Sequence, residues 1–359
     1  MPAAQVPTRF PDRSDLRAHT LVRTVDDCED GWMVASWAAQ ATSKDPHYRI
    51  ELPQLRAVYE TTPSGNIELR ARVHHADDDQ AFAGFAAKAI ARLMHLHRVR
   101  LGRPAQFPRS TPVADIWVVP TPAADPNVGG ESRTSHVYLW DCRYRRTQSE
   151  WARTVTHEWG HLTLPAARGF AAPESDAAGH LGEALYLEWL AQDSLPDEPG
   201  NFATPSVARR WSERHNHPRR QRYEQLGPRD TALDQRDKSG MDAYVGAALG
   251  IAASFGSTTL GAVLRGIESD SPRELLASLR RLLADEDQIL VRLPAWVPLP
   301  AGQYAIQPAA GSGTLELDTQ RPKWLAAAST ERFAKSDWHR LHAGPGSLAA
   351  VSISRTHSR

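Results

Sequence analysis

Cysteine is scarce in this sequence. Cys28 and Cys142 are the only two cysteines among 359 residues, so the fold cannot depend on a framework of several disulfides. One bridge between them and two buried free thiols are both compatible with the sequence. Neither cysteine belongs to a CxxC pair, which disfavours a zinc site made of thiolates.

An excess of either charge is also lacking. Lys and Arg together number 42, and so do Asp and Glu. Nucleic acids and anionic membranes both attract proteins that present a basic surface. We therefore expect no nucleic-acid partner and no electrostatic attachment to a membrane.

Long apolar runs are few. Residues 244–263 form an uncharged stretch about as long as a bilayer requires, but most of it is Ala, Gly, Ser and Thr, which contribute little transfer energy. A break at Gly256-Ser257 predicts two short buried helices instead of a membrane span. The amino terminus shows no signal-peptide pattern, although a protein trimmed of its signal would look the same, so localisation stays open.

The residues that are present predict an α+β protein in three parts. Apolar residues make up 41% of the chain, enough for a sizeable core. Alternating strands followed by a helix indicate a mixed α/β unit over residues 1–105. Strands and helices over 106–296 indicate a second domain. Short strands separated by Gly and Pro indicate a small β module over 297–359.

The segment His157-Glu158-Trp159-Gly160-His161 matches the pattern HExxH. It lies in a helical pattern over 149–162, and residues four apart share one helix face, so both imidazoles can reach a single metal ion. Glu158, beside the first histidine, can accept the proton of an attacking water. The alternative is a helix whose two histidines are merely polar surface.

A catalytic zinc site needs a third protein ligand and one open position. The acidic and histidine side chains that follow the motif are the candidates: Glu174, Asp176, His180, Glu183 and Glu188. Glu183 is favoured because it lies near the start of an apolar helical stretch, 181–190. The alternative is that the Glu183 carboxylate only stabilises the N-terminus of its own helix. His180 is the main rival for the third ligand.

The pentad, followed by Gly182-Glu183-Ala184, resembles the gluzincin superfamily of zinc metallopeptidases. The resemblance implies a zincin-like catalytic domain with an active-site helix and a helical C-terminal lobe. It implies that His157, His161 and Glu183 bind zinc and that Glu158 is the catalytic base.

Three positions depart from related patterns. Leu164 stands where the elongated metzincin motif would have a glycine. Gly182 stands where gluzincins usually have Asn before the third ligand. Leu187 replaces the Asp that supports a zinc histidine in thermolysin-like members, so this support must come from elsewhere, with Glu188 as a candidate. The resemblance therefore identifies no subfamily.

Two weaker resemblances concern substrate contacts. The segment from Tyr244 is similar to the one whose tyrosine hydroxyl stabilises an oxyanion in gluzincin aminopeptidases; the alternative is a core aromatic. Gly129-Gly130-Glu131 looks like the Gly-rich loop that binds a substrate's free amine, although its acidic residue is out of register. An ordinary tight turn is the alternative.

These observations predict a zinc-dependent peptidase that acts on a peptide or protein substrate. The alternative is a binding or scaffold protein that keeps a zincin fold with little activity, associated with glycans or a cell wall. A third interpretation makes the β module a glycan or cell-wall binder that carries the peptidase as its effector, with Trp324 and Trp338 stacking on sugars. Core packing is the competing role for both rings. Solvated or capping roles are predicted for three further pairs of histidines: His74 and His75, His95 and His97, and His215 and His217.

Overall fold

The computed structural model describes most of the chain. The described residues are 19–28, 32–62, 64, 66–103, 113–124, 129–143, 146–165, 167–171, 174–193, 197, 201–311, 313–318, 323–326, 329–333, 337–346 and 348–356. Their mixture of helices and sheets confirms the α+β class.

The α-helices of the described part are α1 Gln80–Leu101, α2 Gln148–Thr163, α3 Ala178–Ala191, α4 Pro205–Trp211, α5 His217–Leu226, α6 Lys238–Phe255, α7 Ser257–Arg265 and α8 Glu274–Ala284. The strands are β1 His19–Cys28, β2 Trp32–Lys44, β3 Glu51–Thr61, β4 Ile67–His75, β5 Ala114–Val118, β6 Gly130–Arg133, β7 His136–Leu139, β8 Gln288–Arg292, β9 Ala295–Leu299, β10 Gly302–Ala310, β11 Gly313–Asp318, β12 Lys323–Ala326, β13 Ser329–Phe333, β14 Asp337–Gly346 and β15 Ala350–Arg355.

A seven-stranded sheet organises the first of two compact units, which holds residues 1–99, 103–164 and 185–212. The strand order is β1-β2-β3-β4-β5-β7-β6, and β1 to β4 form an antiparallel meander. β5 lies parallel to both β4 and β7, whereas β6 is antiparallel to β7. β6 therefore occupies an edge of the sheet.

The helix α1 connects β4 to β5, because two parallel neighbours need a crossover connection. Its inward face is fully buried at Ala83, Ala86 and Leu93. The crossover places the strands before and after residue 105 in one sheet, whereas the sequence division separated them there. A boundary drawn from local composition does not detect this pairing, because it depends on contacts between distant residues.

The second compact unit holds residues 100–102, 165–184 and 213–359. It contains α5 to α8 and two four-stranded sheets, ordered β13-β10-β15-β8 and β12-β11-β14-β9. Both sheets include a strand that lies wholly or partly before residue 297, so the β structure begins with β8. The boundary between the two units falls inside α3, which is one uninterrupted helix.

The uncharged stretch 244–263 contributes to α6 and α7, as the sequence predicts. Gly256 separates the two helices with a φ of 91°, a conformation that glycine adopts without strain. In the part of the chain that the structure describes, no helix is both long and apolar enough to cross a membrane. Cys142 is a free, buried thiol whose burial raises its pKa to about 12, and the side chain of Cys28 lies outside the described residues.

Candidate metal site

The helix α2 carries the HExxH residues and is well defined at both ends. Thr147 accepts a hydrogen bond from the Glu150 amide, and the Glu150 carboxylate accepts one from the Thr147 amide, which completes a capping box. The rings of His157 and His161 lie 5.0 Å apart between centroids at an interplanar angle of 77°. The helix therefore brings two imidazoles together, as the spacing predicts.

Glu158 lies on α2 between these histidines in sequence and is 7% exposed. Gly130, the first residue of β6, lies directly against its side chain. A Cβ atom built on Gly130 would come within 2.6 Å of Glu158 Cγ. The carboxylate is thus held in a confined space beside the edge of the sheet.

The helix α3 carries the predicted third ligand. Its first turn is fixed by Asp176, whose carboxylate accepts a hydrogen bond of 2.9 Å from the Ala178 amide. Glu183 is 2% exposed, and its Oε2 atom lies 3.9 Å from Nδ1 of His180. The buried Asn216 donates a hydrogen bond of 2.9 Å from Nδ2 to the carbonyl of Ala184, the residue after Glu183.

A buried hydrogen-bond network ties α1, α2 and α3 together. Tyr186 Oη lies 2.8 Å from Thr163 Oγ1 and 2.8 Å from His97 Nδ1. His97 is fully buried, and this burial lowers its pKa to about 3, so the imidazole is neutral at neutral pH. The prediction that His97 is solvated or caps a helix is therefore wrong, and His74, also buried, contradicts it in the same way.

In the part of the chain that the structure describes, the side chains that could bind a metal ion include His157 and His161 in the first unit, and Glu174, His180 and Glu183 in the second unit. Within the first unit the two imidazoles lie side by side, and within the second unit His180 and Glu183 lie close together. Imidazole nitrogens with a carboxylate oxygen form a donor set that suits zinc.

Tyr244 lies on α6 and is 1% exposed. Burial raises the pKa of its hydroxyl, and the negative charge of the Asp176 carboxylate raises that pKa further. The backbone of Ala167 also lies close to the hydroxyl. Tyr244 is thus close to the residue that caps α3. Its role toward an oxyanion stays a prediction.

Gly129 and Gly130 lie against different parts of the protein. The guanidinium of Arg146 lies against Gly129, and Gly130 faces α2. Glu131, the next residue, accepts hydrogen bonds from Tyr48 Oη and from Arg133 Nε. Because successive side chains of a strand point to opposite faces, Glu131 points away from Glu158.

Two further candidates from the sequence have contacts of their own. Glu188 accepts hydrogen bonds from Ser212 Oγ and from Gln192 Nε2. The guanidinium of Arg280 lies over the ring of Trp338, 5.6 Å from its centroid. The side chain of Trp324 lies outside the described residues.

The comparisons with known proteins identify no family. No family model matches the sequence, and no curated protein matches it. Solved structures that match include Legionella pneumophila aminopeptidase A in complex with aspartic acid, at 8% identity and a TM-score of 0.35. The match covers 91% of this chain and 41% of that one, and at this TM-score the likeness carries no argument about activity.

Proposed function

We propose that this protein is a zinc-dependent peptidase that hydrolyses peptide bonds in a peptide or protein substrate. The observation that supports this most is the pairing of the His157 and His161 imidazoles on α2, next to the buried carboxylate of Glu158. A scaffold protein would need no buried acid beside the first imidazole.

His157, His161 and Glu183 would hold the ion, with His180 and Glu174 as rival ligands. Two histidines and one glutamate leave a fourth position open, which is the arrangement of catalytic zinc sites. When bound, zinc would polarise the scissile carbonyl and lower the pKa of a water molecule.

The chain's own residues would supply the proton transfers. Glu158 would accept the proton of the attacking water at a carboxylate oxygen and then deliver it to the leaving amine. The close approach of Gly130 to Glu158 would limit the directions from which this carboxylate could act. The capping box and the Tyr186 network hold α2 and α3, which carry these groups.

The substitution Glu158→Gln tests the proposal. Gln has nearly the same shape as Glu but cannot take up the proton, so the variant should retain zinc and lose at least about 10²-fold in kcat on casein or a peptide. Glu224→Gln on α5 is a matched control, because Glu224 pairs with Arg220 at the half-exposed surface. Wild-type turnover in the Glu158→Gln variant would exclude Glu158 as the base.

A wild-type protein that binds zinc but hydrolyses nothing would favour the alternative, a zincin-fold binding protein. The same assay therefore separates the two functions. Zinc is measured by elemental analysis on each preparation before its turnover is assayed.

A further inference from the structure

The edge strand β6 begins at a glycine that has no side chain on the face toward α2. Residues 130 and 131 of a strand point to opposite faces. Glu131 is bound on one face by Tyr48 and Arg133. Gly130 therefore presents its bare backbone to the other face, where α2 lies.

The space at Gly130 is already filled by the helix. A Cβ atom there would lie 2.6 Å from Glu158 Cγ, 2.9 Å from Glu158 Oε1 and 2.7 Å from Thr154 Cγ2. Carbon atoms in contact normally stay about 3.5–4.0 Å apart. Thr154 and Glu158 are four residues apart on α2, so they share the face that β6 covers.

The backbone conformation does not explain why residue 130 is a glycine. Gly130 is not among the described glycines with a positive φ, so any residue could adopt its conformation. A residue with a side chain would not have enough space at this position. The position is thus limited by the side chain of Glu158 and the methyl group of Thr154.

We propose that Gly130 is a positioning residue for Glu158: its backbone forms a wall that holds the base in its working direction. This inference rests on the proposed function, because it takes Glu158 to be the base. It differs from the amine-binding role that the resemblance suggests for the same glycine, since that role would act on the substrate and not on Glu158.

The substitution Gly130→Ala tests whether the backbone of Gly130 holds the Glu158 side chain in place. The added methyl group must push Glu158 aside or shift β6, and a displacement of about 1 Å at a catalytic group can cost about 10²-fold in rate. We expect kcat to fall by about 10-fold to 10²-fold, with KM within about twofold and zinc content unchanged. Unchanged kcat would overturn the proposal, and so would a raised KM at unchanged kcat, which would indicate substrate binding.

Gly84→Ala is the matched control. Gly84 lies on α1 in the same unit, and a Cβ there would meet Arg56 at 3.5 Å, an ordinary contact distance. The substitution should leave kcat and KM at wild-type values. A loss equal to that of Gly130→Ala would attribute the effect to any added methyl group and overturn the proposal.

A second pair of variants guards against a Gly130→Ala protein that does not fold. Thr154→Ala removes the methyl group that a Cβ at Gly130 would also meet, which leaves the contact with Glu158 as the main conflict. The double variant Gly130→Ala/Thr154→Ala should have a lower kcat than Thr154→Ala alone. Equal kcat values in the two would contradict the inference.

A crystallographic comparison separates this inference from the proposed function. In Gly130→Ala the Glu158 carboxylate should move by more than about 0.5 Å from its wild-type position, enough to spoil a catalytic geometry. A Glu158 side chain that keeps its position would overturn the wall. If the wild type lacked zinc and turnover but Glu158 moved, the contact would stand and only the proposed function would fail.

Discussion

Burial of one histidine in its neutral form should lower the free energy of unfolding at pH values well above those at which carboxylates titrate. His97 is fully buried beside Tyr186, and its burial lowers its pKa from 6.5 to about 3. Between these two values the unfolded chain binds a proton that the folded chain does not, so the free energy of unfolding falls as the pH falls. Linkage over this window gives a loss of about 2 kcal/mol between pH 7 and pH 5.

The variant His97→Gln isolates this effect, because Gln can form a hydrogen bond with Tyr186 but does not titrate. Both proteins are unfolded with urea at pH 7 and pH 5, followed by circular dichroism, with a chelator present so that metal binding does not contribute. The wild type should lose about 2 kcal/mol relative to the variant between the two pH values. Parallel pH dependence in both proteins, to within about 0.5 kcal/mol, would refute the buried neutral imidazole.

Three further substitutions have defined outcomes. Asn216→Ala removes the hydrogen bond to the backbone carbonyl of Ala184, the residue after Glu183. The variant should bind zinc about 10-fold more weakly, measured by competition with a chromophoric chelator; an unchanged zinc affinity would contradict a supporting role for Asn216. Tyr244→Phe should lower kcat by about 10²-fold at unchanged KM, whereas a kcat within about twofold would make Tyr244 a core aromatic. Asp115 is buried, which would raise its pKa, but hydrogen bonds from His74 and Arg72 lower it to about 2. Asp115→Asn should therefore lower the free energy of unfolding by about 2 kcal/mol at pH 7. Urea unfolding should show this difference between wild type and variant shrinking as the pH falls from about 4 toward 2; a difference that does not change with pH would contradict the prediction.

Local rules are sufficient to predict the helix that carries the HExxH motif. The motif and its apolar period indicated a helix over 149–162, and α2 runs Gln148–Thr163. The grouping of the two imidazoles follows from helix geometry alone. The break between α6 and α7 was predicted for a similar reason, since Gly256 favours a turn at that point.

Tertiary contacts account for what the sequence did not reveal. His97 looks like a polar surface residue in a one-dimensional pattern, but the crossover that joins β4 to β5 buries α1, and His97 contacts Tyr186 from there. The wall at Gly130 is invisible in the sequence because it depends on α2 approaching an edge strand.

The most direct test of the account is the zinc content of the full chain, purified without chelators and then reconstituted with zinc. We predict one zinc per wild-type chain, loss of zinc in His161→Ala and in Glu183→Ala, and retention in His180→Ala. Zinc retained in Glu183→Ala and lost in His180→Ala would make His180 the third ligand instead. A wild-type chain that neither contains zinc nor takes it up would contradict the account as a whole.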